Sequence, residues 1–147
     1  MAKLTLKLAE KIAAKVLERS RAAGGKPLAI AILDDAGHVK LLVREDGASM
    51  FRNDIALGKA WGAVAMGASS RVIAQVAQQN PNFVNALVTA SNGRLVPNPG
   101  GVLIRDGGEI IGAVGISGDM ADRDESFAAA GIETAGLTAD IGAAPSR

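Results

Sequence analysis

Arg52 and Lys59 are cations seven residues apart, and they are the side chains best placed by type and spacing to hold a ligand. Two turns of an α-helix take about 7.2 residues, so both fall on one stripe of a helix running through 47–70. Ile55 and Ala56 lie between them and would form an apolar floor with a cation at each end. Such a surface suits a small carboxylate or a haem propionate, which arginine grips through paired N–H donors. The competing reading is a solvated helix face carrying scattered cations.

Little else in the chain offers catalytic chemistry. Cysteine is absent, which excludes disulfides, thiolate nucleophiles and Cys-based metal sites. His38 is the only histidine; it follows a turn glycine at the start of a strand and is expected to be exposed. One histidine makes no His-based cluster, and neither H-E-x-x-H nor a Ser-His-Asp arrangement occurs, so no metal site is assigned. Asp119, Asp122, Asp124 and Glu125 fall in the first turns of a helix, where capping and the helix dipole account for them more simply than a hard cation. Pro99-Gly100-Gly101 and Gly115-Ile116-Ser117-Gly118 lie at strand and helix ends, where backbone N–H groups can hold anions. They match no phosphate-binding fingerprint and read as tight turns.

The totals bound the rest. A chain of 147 residues suits one domain able to bury its own core. Sixteen basic residues against fifteen acidic ones leave a net charge of +1, without the concentrated positive charge of nucleic-acid binding. No stretch supplies the roughly 20 apolar residues of a membrane span. No apolar leader opens the chain, so a soluble cytoplasmic protein is expected. One Trp, three Phe and no Tyr against 18 Gly predict an aliphatic core with backbones in close approach.

The elements that position these residues follow from periodicity. Residues 5–23 predict an amphipathic helix with Leu8, Ile12 and Val16 inward, Thr5 as N-cap and Gly24-Gly25 as stop. Residues 28–34 are apolar on both alternating faces, as in an interior strand, and Asp35-Ala36-Gly37 turns the chain into a second strand, 38–44. There Val39, Leu41 and Val43 are expected on one face. Ser49 is the expected N-cap of the 47–70 helix. Within that helix Gly58 and Gly62 predict close packing against the sheet or another helix, with Trp61 in the core or at an interface. Ser69-Ser70 starts a further helix ended by Asn80-Pro81, and a short helical stretch follows through 83–88. Residues 91–101 form a loop by composition. Residues 102–105 and 109–117, joined at Asp106-Gly107-Gly108, form a second hairpin. Gly112 and Gly115 leave room there for a helix or a ligand against the sheet. A last helix runs from Met120 to about Thr134, and 138–147 reads as a surface tail. The predicted class is α/β (α+β), an antiparallel sheet of four to five strands flanked by helices.

Read together, D-D-A-G-H at 34–38, R-E-D-G-A at 44–48, D-I-A-L-G-K-A-W-G-A at 54–63, P-G-G-V-L-I at 99–104 and G-A-V-G-I-S-G at 112–118 resemble a known family. It is that of the GlcG/HbpS-like proteins, called the haem-degrading domain and also found as the C-terminal part of PduO-type proteins. The resemblance implies a profilin-like fold, homo-oligomers, and haem or another small molecule as ligand. It places Lys59, Arg44, Asp46, Gly100, Gly101, Ser117 and Gly118 in the pocket beside Arg52. Haem iron is usually held by His, Met, Cys or Tyr, which leaves His38, Met50, Met66 and Met120 here. Two other functions are compatible with the residues. One is a lyase, isomerase or hydrolase acting on a small carboxylic acid, with Lys59 as anion anchor or base and Arg52 as clamp. The other is an accessory subunit of a catabolic enzyme.

Overall fold

The computed structural model describes residues 3–142. Helix α1 (Leu6–Ala22) begins where the Thr5 side chain accepts a hydrogen bond from the Leu8 N–H at 3.1 Å, and it buries Ala9, Ile12 and Val16. Strands β1 (Ala29–Asp34) and β2 (Val39–Arg44) form the first hairpin. Helix α2 (Met50–Met66) ends at Gly67, whose φ of 65° supplies the left-handed cap that glycine adopts freely. Helices α3 (Ser70–Gln79) and α4 (Pro81–Ala90) meet at Asn80, which caps α4 through its side chain. Strands β3 (Gly101–Asp106) and β4 (Glu109–Ser117), helix α5 (Ala121–Thr134) and a short β5 (Thr138–Asp140) complete the described chain. Among the described residues no helix is long and apolar enough to cross a membrane.

The sheet is five-stranded and antiparallel throughout, in the order β2-β1-β4-β3-β5, as in the profilin-like arrangement. Alternation assigns its two faces. Ile30, Ile32, Val102, Ile104, Val114 and Ile116 pack against α1 and α5 in the main core. Ala29, Ala31, Leu33, Leu103 and Ala113 pack on α2. Small residues dominate this second face because α2 lies almost on the backbone of the sheet. A Cβ at Gly115 would strike the Ala56 carbonyl and Ala60, and one at Gly101 would strike the Lys59 carbonyl. The space left by Gly115 is therefore filled by a helix.

Several expectations change. Val39 does not share a face with Leu41 and Val43. The β1–β2 register runs Ile32↔Leu41 and then Leu33↔Val39, so a bulge at Lys40 turns Val39 to the α2 side beside Leu33. Gly58 meets neither the sheet nor another helix, whereas Gly62 does lie against Ile73 of α3. The tightest contacts of both come instead from the loop after α4, which brings the Arg94 carbonyl and Val96 to Gly58 and Leu95 to Gly62. Ser49 and Ser69 stand at N-cap positions without a side-chain cap bond, and the Ser69 hydroxyl donates to the Ile141 carbonyl instead. The stretch read as a surface tail contributes β5 at Thr138–Asp140, which covers the edge of β3; residues 143–147 of that reading lie outside the described residues.

Gly115→Ala is expected to cost about 2–3 kcal/mol through overpacking of α2 against β4. Urea denaturation monitored by circular dichroism checks this, and an unchanged midpoint would contradict the close approach.

Candidate functional site

The inward stripe of α2 is Ala56, Lys59, Ala60 and Ala63. The alanines let the helix settle on the sheet, and the long side chain among them has to travel along the interface. Lys59 is only 2% exposed. Its Nζ donates to the Ile116 carbonyl at 2.8 Å and reaches Asp124 Oδ2 at 3.5 Å. Asp124, at the start of α5, is 1% exposed, and its other oxygen accepts the Asp119 N–H at 3.1 Å. Burial raises the Asp124 pKa to about 6 against the opposing pull of the Lys59 ammonium. Burial likewise lowers the Lys59 pKa, with the Asp124 carboxylate opposing and the nearby Arg52 charge adding to the drop. Both shifts point towards neutrality, as desolvation of a buried pair dictates.

The residues expected in the pocket divide into those around this pair and those apart from it. Gly100 lies over the Lys59 ammonium with φ 125°, a conformation L side chains rarely adopt, and a Cβ there would meet Nζ. Gly101 presses on the Lys59 backbone and donates its N–H to Ser70 Oγ at 2.7 Å. Ser117 shares the α2 face of β4 with Ala113 and Gly115, and its Oγ accepts from Arg52 Nη1 at 3.5 Å. Arg52, Lys59, Gly100, Gly101 and Ser117 are thus brought together. Gly118, at φ 138°, instead closes on the Pro27 carbonyl. Arg44 donates to the Ala48 carbonyl at 2.7 Å, bracing the turn into α2, and Asp46 is exposed. The ammonium of Lys59, read as an anion anchor or base, is turned inward and already satisfied.

The acidic run has a different role from simple capping. Asp124 pairs with Lys59, while Arg71 of α3 forms a fork with Glu125 through Nε at 2.9 Å and reaches Asp122 through Nη2 at 2.8 Å. Asp124, Ala128, Gly131 and Ile132 are all buried on α5, so the sequence did carry a signal: a carboxylate on an otherwise apolar stripe. Among the described residues no group of three or more His, Cys, Asp or Glu gathers to hold a metal ion.

A groove of about 490 Å³ opens on a different side of α2. Leu33, Val39, Leu57 and Trp61 supply its apolar lining, and Asp54 and Arg94 its charges. The Arg94 guanidinium stands 4.1 Å from the centre of the Trp61 ring. None of the pocket residues expected from the sequence lines it. Val39 reaches it through the bulge, which strand alternation does not reveal.

Comparison with known proteins matches residues 4–133 to the family described as "Haem degrading protein HbpS-like". The chain belongs to this family. It is 29% identical over 127 residues to an uncharacterized 15.0 kDa protein from the dhaT-dhaS intergenic region of Citrobacter freundii, covering 86% of this chain and 85% of the other. A double mutant of Streptomyces reticuli HbpS superposes with a TM-score of 0.78 at 27% identity, over 91% of this chain and 88% of that one. The structure described as the PduOC:Heme complex gives 0.86 at 24% identity, over 95% and 99%, a likeness of fold.

The buried pair of this HbpS-like chain sets two expectations. Lys59→Met leaves Asp124 without its cation and is expected to cost about 3–5 kcal/mol, whereas Lys59→Met combined with Asp124→Leu costs less, because no buried charge remains. Denaturant midpoints of the single and double variants check this ordering. Burial pushes the Asp124 carboxyl up to about 6 in the folded state from its ordinary value of 3.8, so the folded state binds more protons between these values. Wild-type stability relative to Asp124→Asn should therefore rise as the pH falls from about 7 to about 4, measured by urea denaturation across that range.

Proposed function

We propose that this protein binds haem at the edge where Arg52 meets Ser117. The description of its family supports haem as the ligand. One observation carries the choice of site. The Arg52–Ser117 contact ties the first turn of α2 to the end of β4, and the segments on either side present Met50, Phe51 and Met120 at 82%, 63% and 70% exposure. Large apolar side chains left in water beside a half-buried arginine suit an amphipathic ligand with an apolar body and carboxylate groups.

The residues present fit haem by type. Arg52 would hold a propionate through its guanidinium fork, Phe51 would cover part of the macrocycle, and the Met50 and Met120 thioethers are of a type that ligates haem iron. Bound haem would supply redox chemistry at iron. Lys59 serves this edge indirectly, because its bond to the Ile116 carbonyl fixes the strand end that carries Ser117. The proposal includes self-association into homo-oligomers, as the family resemblance implies, which would also cover exposed apolar side chains.

Titration with hemin is expected to give a saturable Soret shift. Arg52→Ala should weaken it about tenfold, the loss of roughly one charged hydrogen-bonded contact. Met50→Ala with Met120→Ala should alter the band position. A wild-type protein that shows no saturable shift would overturn the proposal.

A further inference from the structure

The groove over Trp61 lies outside the proposed haem edge, and none of its lining residues is of the His, Met, Cys or Tyr types that usually hold haem iron. We infer that this groove is a binding site for a planar aromatic carboxylate carrying a hydrogen-bond donor on its ring. The inference is independent of the haem reading.

Size and lining set the class of ligand. A volume of about 490 Å³ falls within the range of small-molecule sites, roughly 300–1,000 Å³. Leu33, Val39 and Leu57 offer apolar walls, and Trp61, with one face covered by the Arg94 guanidinium, adds an aromatic wall against which a flat ring can pack. Arg94 supplies the positive charge. Its Nε reaches the Ser91 carbonyl at 3.4 Å, while its Nη groups have no hydrogen-bond partner among the described residues. They retain the paired N–H geometry that matches a carboxylate. Asp54 is exposed and accepts no hydrogen bond among the described residues, so a ring hydroxyl or amino group has an acceptor.

The backbone holds Arg94 in place before any ligand arrives. Asn92 is the one non-glycine residue with positive φ among the described residues, at 57°, and Gly93 follows at 78°. These two left-handed residues reverse the chain after α4 and bring Arg94 back over Trp61. The next residue locks the turn: Leu95 is buried against Gly62, and its N–H donates to Ser91 Oγ at 3.0 Å. The Val96 N–H then bonds the Gly58 carbonyl at 3.3 Å. A cation fixed on both sides in this way loses little freedom on binding, which favours a small ligand.

The test uses 4-hydroxybenzoate as probe, followed by calorimetry and by the fluorescence of Trp61, the only tryptophan in the chain. Binding should be saturable in the wild type, at least about tenfold weaker in Arg94→Ala, and unchanged in Arg52→Ala. Cyclohexanecarboxylate should bind more weakly for want of a flat ring, 4-hydroxybenzyl alcohol for want of the charge, and benzoate should lose the Asp54 contact. Circular dichroism checks that Arg94→Ala remains folded. Absence of saturable binding, equal affinity in Arg94→Ala, or equal binding of the flat and puckered acids would overturn the inference. Hemin binding, measured separately in the same variants, should follow Arg52 and not Arg94, so the two sites fail or stand separately.

Discussion

The near contact of α2 with the backbones of β3 and β4 governs much of this molecule. At Gly101 and Gly115 no side chain separates the helix from the sheet, so every inward residue of α2 other than a very small one needs a path sideways. Lys59 takes such a path beneath Gly100 to the Ile116 carbonyl and Asp124. A packing constraint thereby creates an electrostatic one. An ammonium enclosed in this way requires an anion, and the beginning of α5 provides it. The two helices on opposite faces of the sheet are joined around the end of β4 by a charge pair.

From that arrangement α2 acquires surfaces of different character. Around Arg52 it meets Ser117 at the end of β4, among apolar side chains that the isolated chain leaves in water. Around Trp61 it faces the β1–β2 hairpin and the loop after α4, which together enclose the groove. Lys59 lies between these surfaces in sequence but belongs to the interior. The two proposed sites thus rest on one arginine each, Arg52 and Arg94, each with a hydrogen bond that steadies it.

The regular elements were legible because their signals are local. The four-residue spacing of Leu8, Ile12 and Val16, the continuous apolar run at 28–33 and the Gly107-Gly108 turn each need only a few neighbouring residues to be recognised. What escaped depends on partners distant in sequence. The bulge at Lys40 reassigns Val39 without any change of composition. Gly58 and Gly62 were rightly read as close-packing positions, and Gly62 does meet a helix at Ile73, but their tightest partners come from an irregular loop whose path periodicity does not specify. The spacing of Arg52 and Lys59 identified a shared stripe, yet not that one cation would be buried; that outcome depends on the missing side chains at Gly100 and Gly101 and on Asp124. Arg94 carried no signal of its own, since its position over Trp61 is created by two left-handed residues before it.

The sheet's central pairing has a consequence for how the chain reaches its native state. Ala29 lies opposite Ser117 and Asp34 opposite Gly112, so the two halves of the sheet are joined by strands between which most of the chain is strung. Each hairpin can close on its own through short loops, whereas their junction must bring together segments separated by three helices and a long connection. Closure entropy is paid before the β1–β4 ladder returns any stabilisation, and this places the docking of two preformed hairpins late and makes it the slow event of folding. Until it occurs, the β1 and β4 edges remain open to pairing with other chains, so the same strands that form the centre of the native sheet are its main route to aggregation during synthesis.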